Sequence, residues 1–477
     1  MTRSSRAAAE VVLPALRWDA ERGFADLAAD IERALALGVG GFILFGGERE
    51  PVRQLTDQLR AASRVPLLIA SDLERGAGQQ VRGLTGLPPL MGLTALGEEA
   101  VREAARMTAI EARGVGINWA LGPVADLDIE PDNPIVQTRA FGADPAEVGR
   151  LAVAWVGACQ KEGVLACAKH FPGHGRTTRD SHAELPVVDV PSEVLAMTDL
   201  APFRATIDAG VAAVMTAHVA FPALTGEMPA TYAPALLSGM LRSELGYQGL
   251  VVTDALIMDG ALSGRTPGES GVLALTAGCD LLLYPKDLDG VVRAVEAAAA
   301  RDPAFAKGLE QSRARRDAAA RLAKPPTRLD QQVMLKHELR GADLAREAVR
   351  LLRGAMPRLR RAVTITIVDD DVGGPYALPP RSAFSDELLS LGLEVRPHGG
   401  ERVLLLFADV KSWKGRAGLS ADSARRVAAA LAVPAVVVVF GHPRRLAEVP
   451  GGHPVLCAWS GDEAMQHAAA RRLTEAT

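Results

Sequence analysis

The sequence predicts an α/β protein: a (β/α)8 TIM-type barrel followed by a smaller α/β sandwich domain. Three observations carry that expectation. The chain has 477 residues, more than one ordinary hydrophobic core serves, which favours a barrel of about 250 residues or more plus a second unit. Between residues 11 and 285, short apolar runs of strand length alternate with stretches long enough for a helix, the pattern of repeated βα units around a parallel sheet. A Pro-containing break, KPPTRLD at 324–330, precedes a second set of apolar runs. The expected units are therefore 1–325 and 326–477.

Eight runs make up the first set: VVLPAL (11–16), GGFILF (40–45), PLLIAS (66–71), INWALGPV (117–124), VLACAKHF (164–171), VAAVMTAHV (211–219), GLVVTDA (249–255) and DLLLYP (280–285). Between them, stretches such as 26–38 and 98–114 repeat apolar residues at helical spacing and end at glycine. Eight units fit a closed barrel. A doubly wound open sheet would need a Gly-rich dinucleotide turn after its first strand, and VVLPALRWDA has none. From about 290 to 362 the pattern reads as a helix closing the barrel, the break, and a second helix before Pro357. Arginines gather between Arg313 and Arg361 without interleaved aromatics, as on a solvated helix face. The second set is TITIVDD (364–370), VLLLFAD (403–409), AVVVVFG (435–441) and PVLCAW (454–459), with a helix from about Asp462. Its first three runs read as strands buried on both faces.

Composition narrows the functional class. Hydrophobic residues are 48% and charged residues 23% of the chain, a globular balance. Its net charge of −4, from 53 basic and 57 acidic residues, makes no field for nucleic acid or an anionic membrane. A small-molecule partner is expected. Cys159, Cys167, Cys279 and Cys457 lie far apart without zinc-ligand spacing and read as buried free thiols. The N-terminal apolar stretch is broken by Pro14 and stops at Leu16, too short for a signal peptide, and no run reaches the roughly 18 apolar residues of a membrane span. The expected location is the cytoplasm.

Chemistry-bearing residues gather at the carboxyl ends of the barrel runs: Asp72, Asp126, Lys169 with His170, His218 and Asp254. In a barrel these tips face one mouth. Asp caps a following helix well, but Lys and His do not, so capping does not explain the set. The segment AKHFPGHGRTTRDSHAELP (168–186) holds Lys169, His170, His174, Asp180 and His182, a composition that packing does not ask for. Asp180 two residues before His182 suits a carboxylate that orients an imidazole, whose other nitrogen exchanges protons. Asp254, in LVVTDALIMDGA (250–261), ends a buried strand, where a desolvated carboxylate can attack an anomeric carbon. Asp72, in SDLERGAGQQV (71–81), can accept hydrogen bonds from sugar hydroxyls, and Gly76 and Gly78 suggest a tight turn.

In this order, DLERGAGQQ, GPVADLDIEPDNPIVQTRAFGADP, AKHFPGHGRTTRDSH and GYQGLVVTDALIMDGA resemble glycoside hydrolase family 3, in particular its β-N-acetylhexosaminidase branch. KHFPGHG followed by DSH is the most specific part; VVVVFGHP and GDEAMQHAAARRL resemble the family's α/β sandwich less specifically. The resemblance implies that Asp254 is the nucleophile and that His182 with Asp180 is the acid/base dyad. It also implies that Asp72, Arg139, Lys169 and His170 bind the terminal sugar. No metal and no cofactor are implied. One departure stands out: Gln80 stands near the place of a sugar-binding arginine, which leaves open whether Arg82 substitutes. An acid that is a neutral imidazole after giving up its proton adds no negative charge to a carboxylate-rich pocket.

The expected activity is retaining exo-hydrolysis of terminal β-linked N-acetylglucosamine from peptidoglycan fragments. Alternatives on the same fold are a β-N-acetylglucosaminide phosphorylase and a β-glucosidase or xylosidase. Two further readings are of another class. A metal-dependent barrel hydrolase would use His170, His174, His182, His218 and Asp254, but such barrels carry HxH at the first strand, and here that strand ends ALRWD. A non-catalytic carbohydrate-binding protein would usually have lost the nucleophile or the dyad.

Overall fold

The computed structural model describes residues 3–262, 264–372 and 378–475. Its first unit is a ring of parallel strands. Pro14, which has no N–H to give a ladder, divides the first run into β1 (Val12–Leu13) and β2 (Ala15–Arg17). β2 pairs with β3 (Gly41–Phe45), which pairs with β4 (Leu68–Ser71), which pairs with β5 (Trp119–Ala120). β6 (Cys167–Phe171), β7 (Ala213–Thr216) and β8 (Leu250–Val252) form the next arc, and β9 (Leu282–Leu283) pairs with β1. Parallel bridges Trp119↔Leu165, Val124↔Lys169 and Val252↔Leu281 close the two remaining gaps. All eight predicted runs are thus in the ring, and the barrel is closed.

Several strands are shorter than their runs. Gly122–Pro123 cuts β5 to two residues, and the contact with β6 continues through single hydrogen bonds such as Cys167 N–H to Gly122 O, 2.7 Å. The helices follow local signals. Ala28–Leu37 ends at Gly38 in the left-handed region, φ 86°. Pro145–Lys161 starts with a proline and is capped by Asp144, and Pro267–Ala277 carries a full Thr266/Glu269 capping box. A helix the pattern did not reveal, Arg3–Glu10, precedes β1 and packs on helices Leu288–Arg301 and Pro303–Leu322. Glu10 at its end meets Arg313 at 2.8 Å and Arg316 at 3.2 Å.

The second unit is a six-stranded sheet in the order β10-β15-β14-β13-β11-β12. Its strands are β10 (Arg350–Arg353), β11 (Ala362–Asp369), β12 (Glu394–Val395), β13 (Glu401–Ala408), β14 (Val436–Gly441) and β15 (Val455–Cys457). Four of these were expected; β10 and β12 were not. Both lie at edges: β10 is an arginine-ended strand antiparallel to β15, and β12 has two residues, so neither shows a buried apolar run. β11 also departs from expectation, with adjacent Thr366 and Ile367 exposed on its opposite faces. Apolar clusters cover both sides of the sheet, one around Phe384, stacked Phe407 and Phe440, and Trp459, the other around Leu404, Leu406, Val427 and Val439.

Helix Gln331–Ala348 bridges the units. Leu344 joins the barrel core while Ala345 and Ala348 join the sheet core, and His337 bonds Glu111 of the barrel at 2.9 Å. His442 and Arg444, after β14, hold Asp128 of the barrel at 2.9 and 2.8 Å.

A test of this packing lies at Glu10. Arg316 is 1% exposed and keeps only the partly exposed Asp317 and the Pro66 carbonyl when Glu10 is removed, so Glu10→Ala leaves a buried guanidinium short of a partner; urea unfolding is expected to show a loss of about 2 kcal/mol. A loss below about 1 kcal/mol, the scale of an exposed pair, would remove Glu10 from the account of stability.

Candidate active site

A cavity of about 430 Å³ opens at the carboxyl ends of the barrel strands. That is within the range of small-molecule pockets. Asp72, Arg139, Lys169, His170, His182 and Asp254 all line it, and Asp180 stands behind His182.

Ionic bonds hold the sugar-binding set expected from sequence. Lys169 Nζ, from the middle of β6, lies 2.8 Å from Asp72 Oδ1 and 2.6 Å from Glu74 Oε1. Arg139 grips the same Glu74 with two nitrogens, at 3.0 and 2.9 Å, a bidentate geometry that fixes the guanidinium plane. Burial alone would raise Glu74, but Arg139 and Lys169 hold it well below the usual carboxylate range. Burial would likewise lower Lys169, yet Asp72 and Glu74 keep it above its ordinary value. Both cations are therefore charged at any working pH. Sequence reasoning passed over Glu74; the signal was an acid two residues after Asp72.

His170 is held from behind. Its Nδ1 lies 2.7 Å from Asp126 Oδ2, so Nδ1 carries the proton and Nε2 is the other nitrogen. Asp126 Oδ1 also accepts from His174 N–H at 2.7 Å. Burial raises Asp126, but the His170 ring and these bonds bring it below the usual range. Asp126 and His218 were expected to face the mouth, and neither is among the lining residues. Asp126 is the buried support of His170, and His218 bonds Thr231 at 2.8 Å and the Ala255 carbonyl at 3.3 Å.

The loop after β6 is shaped by close approach. A Cβ on Gly175 would stand 2.0 Å from the Leu127 carbonyl oxygen, so only glycine fits there. His174 touches the cavity, but its two ring nitrogens are taken by Thr177 Oγ1 at 2.8 Å and Ser181 Oγ at 3.0 Å. Burial and the neighbouring His170 push it down to about 4. Further on, Asp180 Oδ1 accepts from His182 Nδ1–H at 2.8 Å and from His182 N–H at 2.9 Å. Burial raises Asp180, but the His182 imidazole and two backbone N–H groups bring it below its ordinary value. The His182 side chain is 20% exposed and the Asp180 side chain 1%.

Asp254, just beyond β8, accepts from Ala255 N–H at 2.7 Å. Burial opposes its ionisation; the His170 and His218 rings and this bond outweigh it and bring Asp254 to about 2. It is an ionised carboxylate beside a fixed imidazole dyad.

The rest of the lining was not found from sequence. Arg17 ends β2 and lies over the Phe45 ring at 4.2 Å, with Tyr284 next to Phe45 at 5.6 Å. The signal for Arg17 is its place at the tip of the first strand, in ALRWD. Arg82 does not take the place of Gln80: its side chain is 69% exposed and pairs with Glu48, while Gln80 accepts from Gly46 N–H at 3.0 Å. Val410, Lys411, Ser412 and Trp413 come from the second unit. Among the described residues no three His, Cys, Asp or Glu groups are placed to hold one metal ion.

Fold and cavity define the class: a parallel βα barrel whose charged groups converge at the carboxyl mouth. Residues 24–314 match the Glycosyl hydrolase family 3 N terminal domain. The chain belongs to that family. A beta-N-acetylglucosaminidase/beta-glucosidase of Cellulomonas fimi is 38% identical over 264 residues, covering 53% of this chain and 47% of that one. A beta-hexosaminidase of Thiobacillus denitrificans is 39% identical over 268 residues, 53% of this chain and 74% of that one. The chain thus matches about half the length of the first relative and about three quarters of the second. Among solved structures, a glycoside hydrolase family 3 beta-N-acetylglucosaminidase from a Paenibacillus strain superposes with a TM-score of 0.85 at 28% identity, covering 99% of this chain and 97% of its own.

The depressed histidine gives a signed expectation. Unfolded His174 takes up a proton near 6.5, whereas folded His174 does so only at about 4. Between those values the unfolded chain binds more protons, so stability falls as pH is lowered through that window. His218 and His442 are also held below their ordinary value and add to the slope. His174→Gln is expected to flatten the slope of unfolding free energy between pH 6.5 and 4; an unchanged slope would contradict the neutral, buried assignment.

Proposed function

We propose that the protein is a retaining exo-β-glycosidase that removes terminal β-linked N-acetylglucosamine. The observation that carries this reading is the convergence in one cavity of the ionised Asp254 and the Asp180–His182 dyad. Asp254 attacks the anomeric carbon and the glycosidic bond breaks, with the His182 imidazolium passing its Nε2 proton to the departing oxygen and becoming the neutral Nδ1–H imidazole. In the second step His182 takes a proton from water, which displaces the Asp254 carboxylate and retains the anomeric configuration. Asp180 holds the Nδ1–H tautomer and stabilises the imidazolium. Asp72, Arg139, Lys169 and His170 bind the terminal sugar, with Glu74 as the carboxylate that positions the two cations. On this reading 1–325 is the barrel unit and 326–477 the sandwich, with the boundary in the segment before helix Gln331–Ala348.

Relatives named for N-acetylglucosaminidase and hexosaminidase activity support the choice of sugar. The histidines that a metal reading would gather have separate partners: Asp126 for His170, Thr177 and Ser181 for His174, Thr231 for His218. A peptidoglycan fragment is the proposed physiological substrate and the cytoplasm the proposed location. Four buried free thiols suit a reducing compartment, and no helix among the described residues is long and apolar enough to cross a membrane.

Nitrophenyl glycosides of N-acetylglucosamine, glucose and xylose, each with and without phosphate and a chelator, test the reading. The N-acetylglucosaminide is expected to be the best substrate, and neither additive is expected to change the rate. Faster turnover with phosphate, and a sugar phosphate as product, would replace hydrolysis by phosphorolysis; preference for the glucoside would change the substrate.

Asp254→Asn is expected to abolish turnover while leaving the thermal midpoint nearly unchanged. A 2- or 5-fluoro glycoside should label the peptide containing LVVTDA, and an adduct on Asp72 or Asp126 would show the nucleophile wrongly assigned. His182→Gln should slow glycosylation roughly 10²- to 10⁴-fold for a sugar leaving group, and far less for dinitrophenol, which leaves without a proton. Equal losses for both leaving groups in pre-steady-state bursts would remove His182 as the acid.

A further inference from the structure

We infer that the second unit completes the acid/base dyad: the backbone N–H of Trp413 fixes the outer oxygen of Asp180 while its indole packs on His182, which makes Trp413 a positioning residue for proton transfer. This rests on the reading of Asp180 and His182 given above and adds what holds them in place.

The two oxygens of Asp180 are divided between the two units of the chain. Oδ1 takes the ring and backbone N–H of His182, and Oδ2 takes Trp413 N–H at 2.6 Å. A carboxylate bonded on both oxygens cannot swing, so the Nδ1–H of His182 keeps one acceptor in one direction. The Trp413 ring lies 4.5 Å from the His182 ring, centroid to centroid, at 54°. A flat wall on the imidazole restricts its rotation, and because Trp413 lines the cavity it also keeps water from that side of the dyad.

Trp413 has φ 65°, a left-handed conformation rare for a bulky residue and sustained only where the surroundings impose it. Those surroundings are built. Lys414 N–H bonds the Lys411 carbonyl at 3.1 Å, closing a turn, and Lys414 Nζ bonds the Asp409 carbonyl at 3.1 Å and faces Asp370 at 3.3 Å. Asp409 N–H donates to Asp371 at 2.6 Å, and Val410 N–H to Asp409 at 2.8 Å. Arg75 of the barrel meets Asp462 at 2.9 Å and Asp409 at 3.7 Å, tying the base of the loop to the cavity wall. The loop arrives with its N–H already aimed, so the dyad loses little freedom when substrate binds.

Three variants of the full chain test this. Trp413→Pro deletes the N–H and cannot adopt φ 65°. Trp413→Gly keeps the N–H and that conformation but lacks the indole. Lys414→Met leaves Trp413 intact and frees the loop. For a disaccharide with a sugar leaving group, Trp413→Pro is expected to lower kcat roughly 10- to 100-fold, the scale of a displaced general acid, and the dinitrophenyl glycosylation burst less than about threefold. Lys414→Met should show the same leaving-group split in smaller degree. Trp413→Gly should raise KM on both substrates and show only a small leaving-group split, because the imidazole loses its wall while Asp180 keeps its N–H bond. The double variant Asp180→Asn/Trp413→Pro should lose little more than the worse single variant, since both remove the same orientation.

Thermal midpoints accompany each measurement; where Trp413→Pro does not fold, Lys414→Met carries the comparison. Losses independent of the leaving group in the folded variants would overturn the inference. So would losses that add in the double variant, or a Gly variant as leaving-group-sensitive as the Pro variant. Asp180→Asn alone separates the two levels. If it shows no leaving-group dependence, the dyad assignment itself falls; if it does and the loop variants do not, only the role of Trp413 falls.

Discussion

A charge taken out of water must meet an opposite charge or a set of hydrogen bonds, and the mouth of this barrel buries enough charge for that constraint to dictate its architecture. Glu74 is the clearest case. It answers both Lys169 and Arg139, so one carboxylate from the turn after β4 fixes a lysine on β6 and an arginine from the loop after β5. Asp126 does the same for His170, and Asp180 for His182. His170 and His182 each have behind them a carboxylate that does not line the cavity, while Lys169 and Arg139 share Glu74 within its wall, so these side chains are held in place before anything enters.

The same constraint explains why the second unit sits where it does. In its sheet the chain runs from β11 out to β12 and back across to β13, and at such a reversal the loops beyond the carboxyl ends of adjacent strands part to leave a crevice. Asp370 and Asp371 follow β11, and Asp409 to Lys414 follow β13. This crevice meets the barrel's own carboxyl mouth. Arg75 on one side, with Asp409 and Asp462 on the other, makes the joint ionic. Asp371 pays for this crowding: burial and the neighbouring Asp409 push it up to about 6, despite Lys411, Lys414 and Arg381.

How much of this was legible in the sequence depends on the range over which each feature is decided. The eight runs of the ring were legible because each buried strand writes its own apolar pattern. Asp72, Lys169, His170, Asp180, His182 and Asp254 were legible because they end those runs or sit in one compact loop. Glu74 was missed although it lies in the same motif as Asp72: an acid near an acid looks like surface charge until its two cations, 65 and 95 residues away, are brought to it. Trp413 was invisible for a different reason. Its contribution is a backbone N–H and a ring face, and nothing in KSWKG marks either as belonging to a dyad in another unit. The edge strands β10 and β12 escaped because exposure erases the apolar pattern that reveals a buried strand.

The division of labour has a physical consequence for how such a site can vary. The groups that meet the cavity from the barrel are charged and interlocked: changing Asp72 or Arg139 takes away one of the two partners of buried Lys169 or Glu74. The segment Val410–Trp413 meets it differently. Trp413 holds Asp180 through a main-chain N–H, which any residue able to take that backbone conformation also has. The side chains of Lys411 and Ser412 are therefore free to change what the cavity wall presents without dismantling that bond. Charge pairing makes the barrel side of the cavity rigid in composition, whereas main-chain bonding makes the other side rigid in geometry and open in composition.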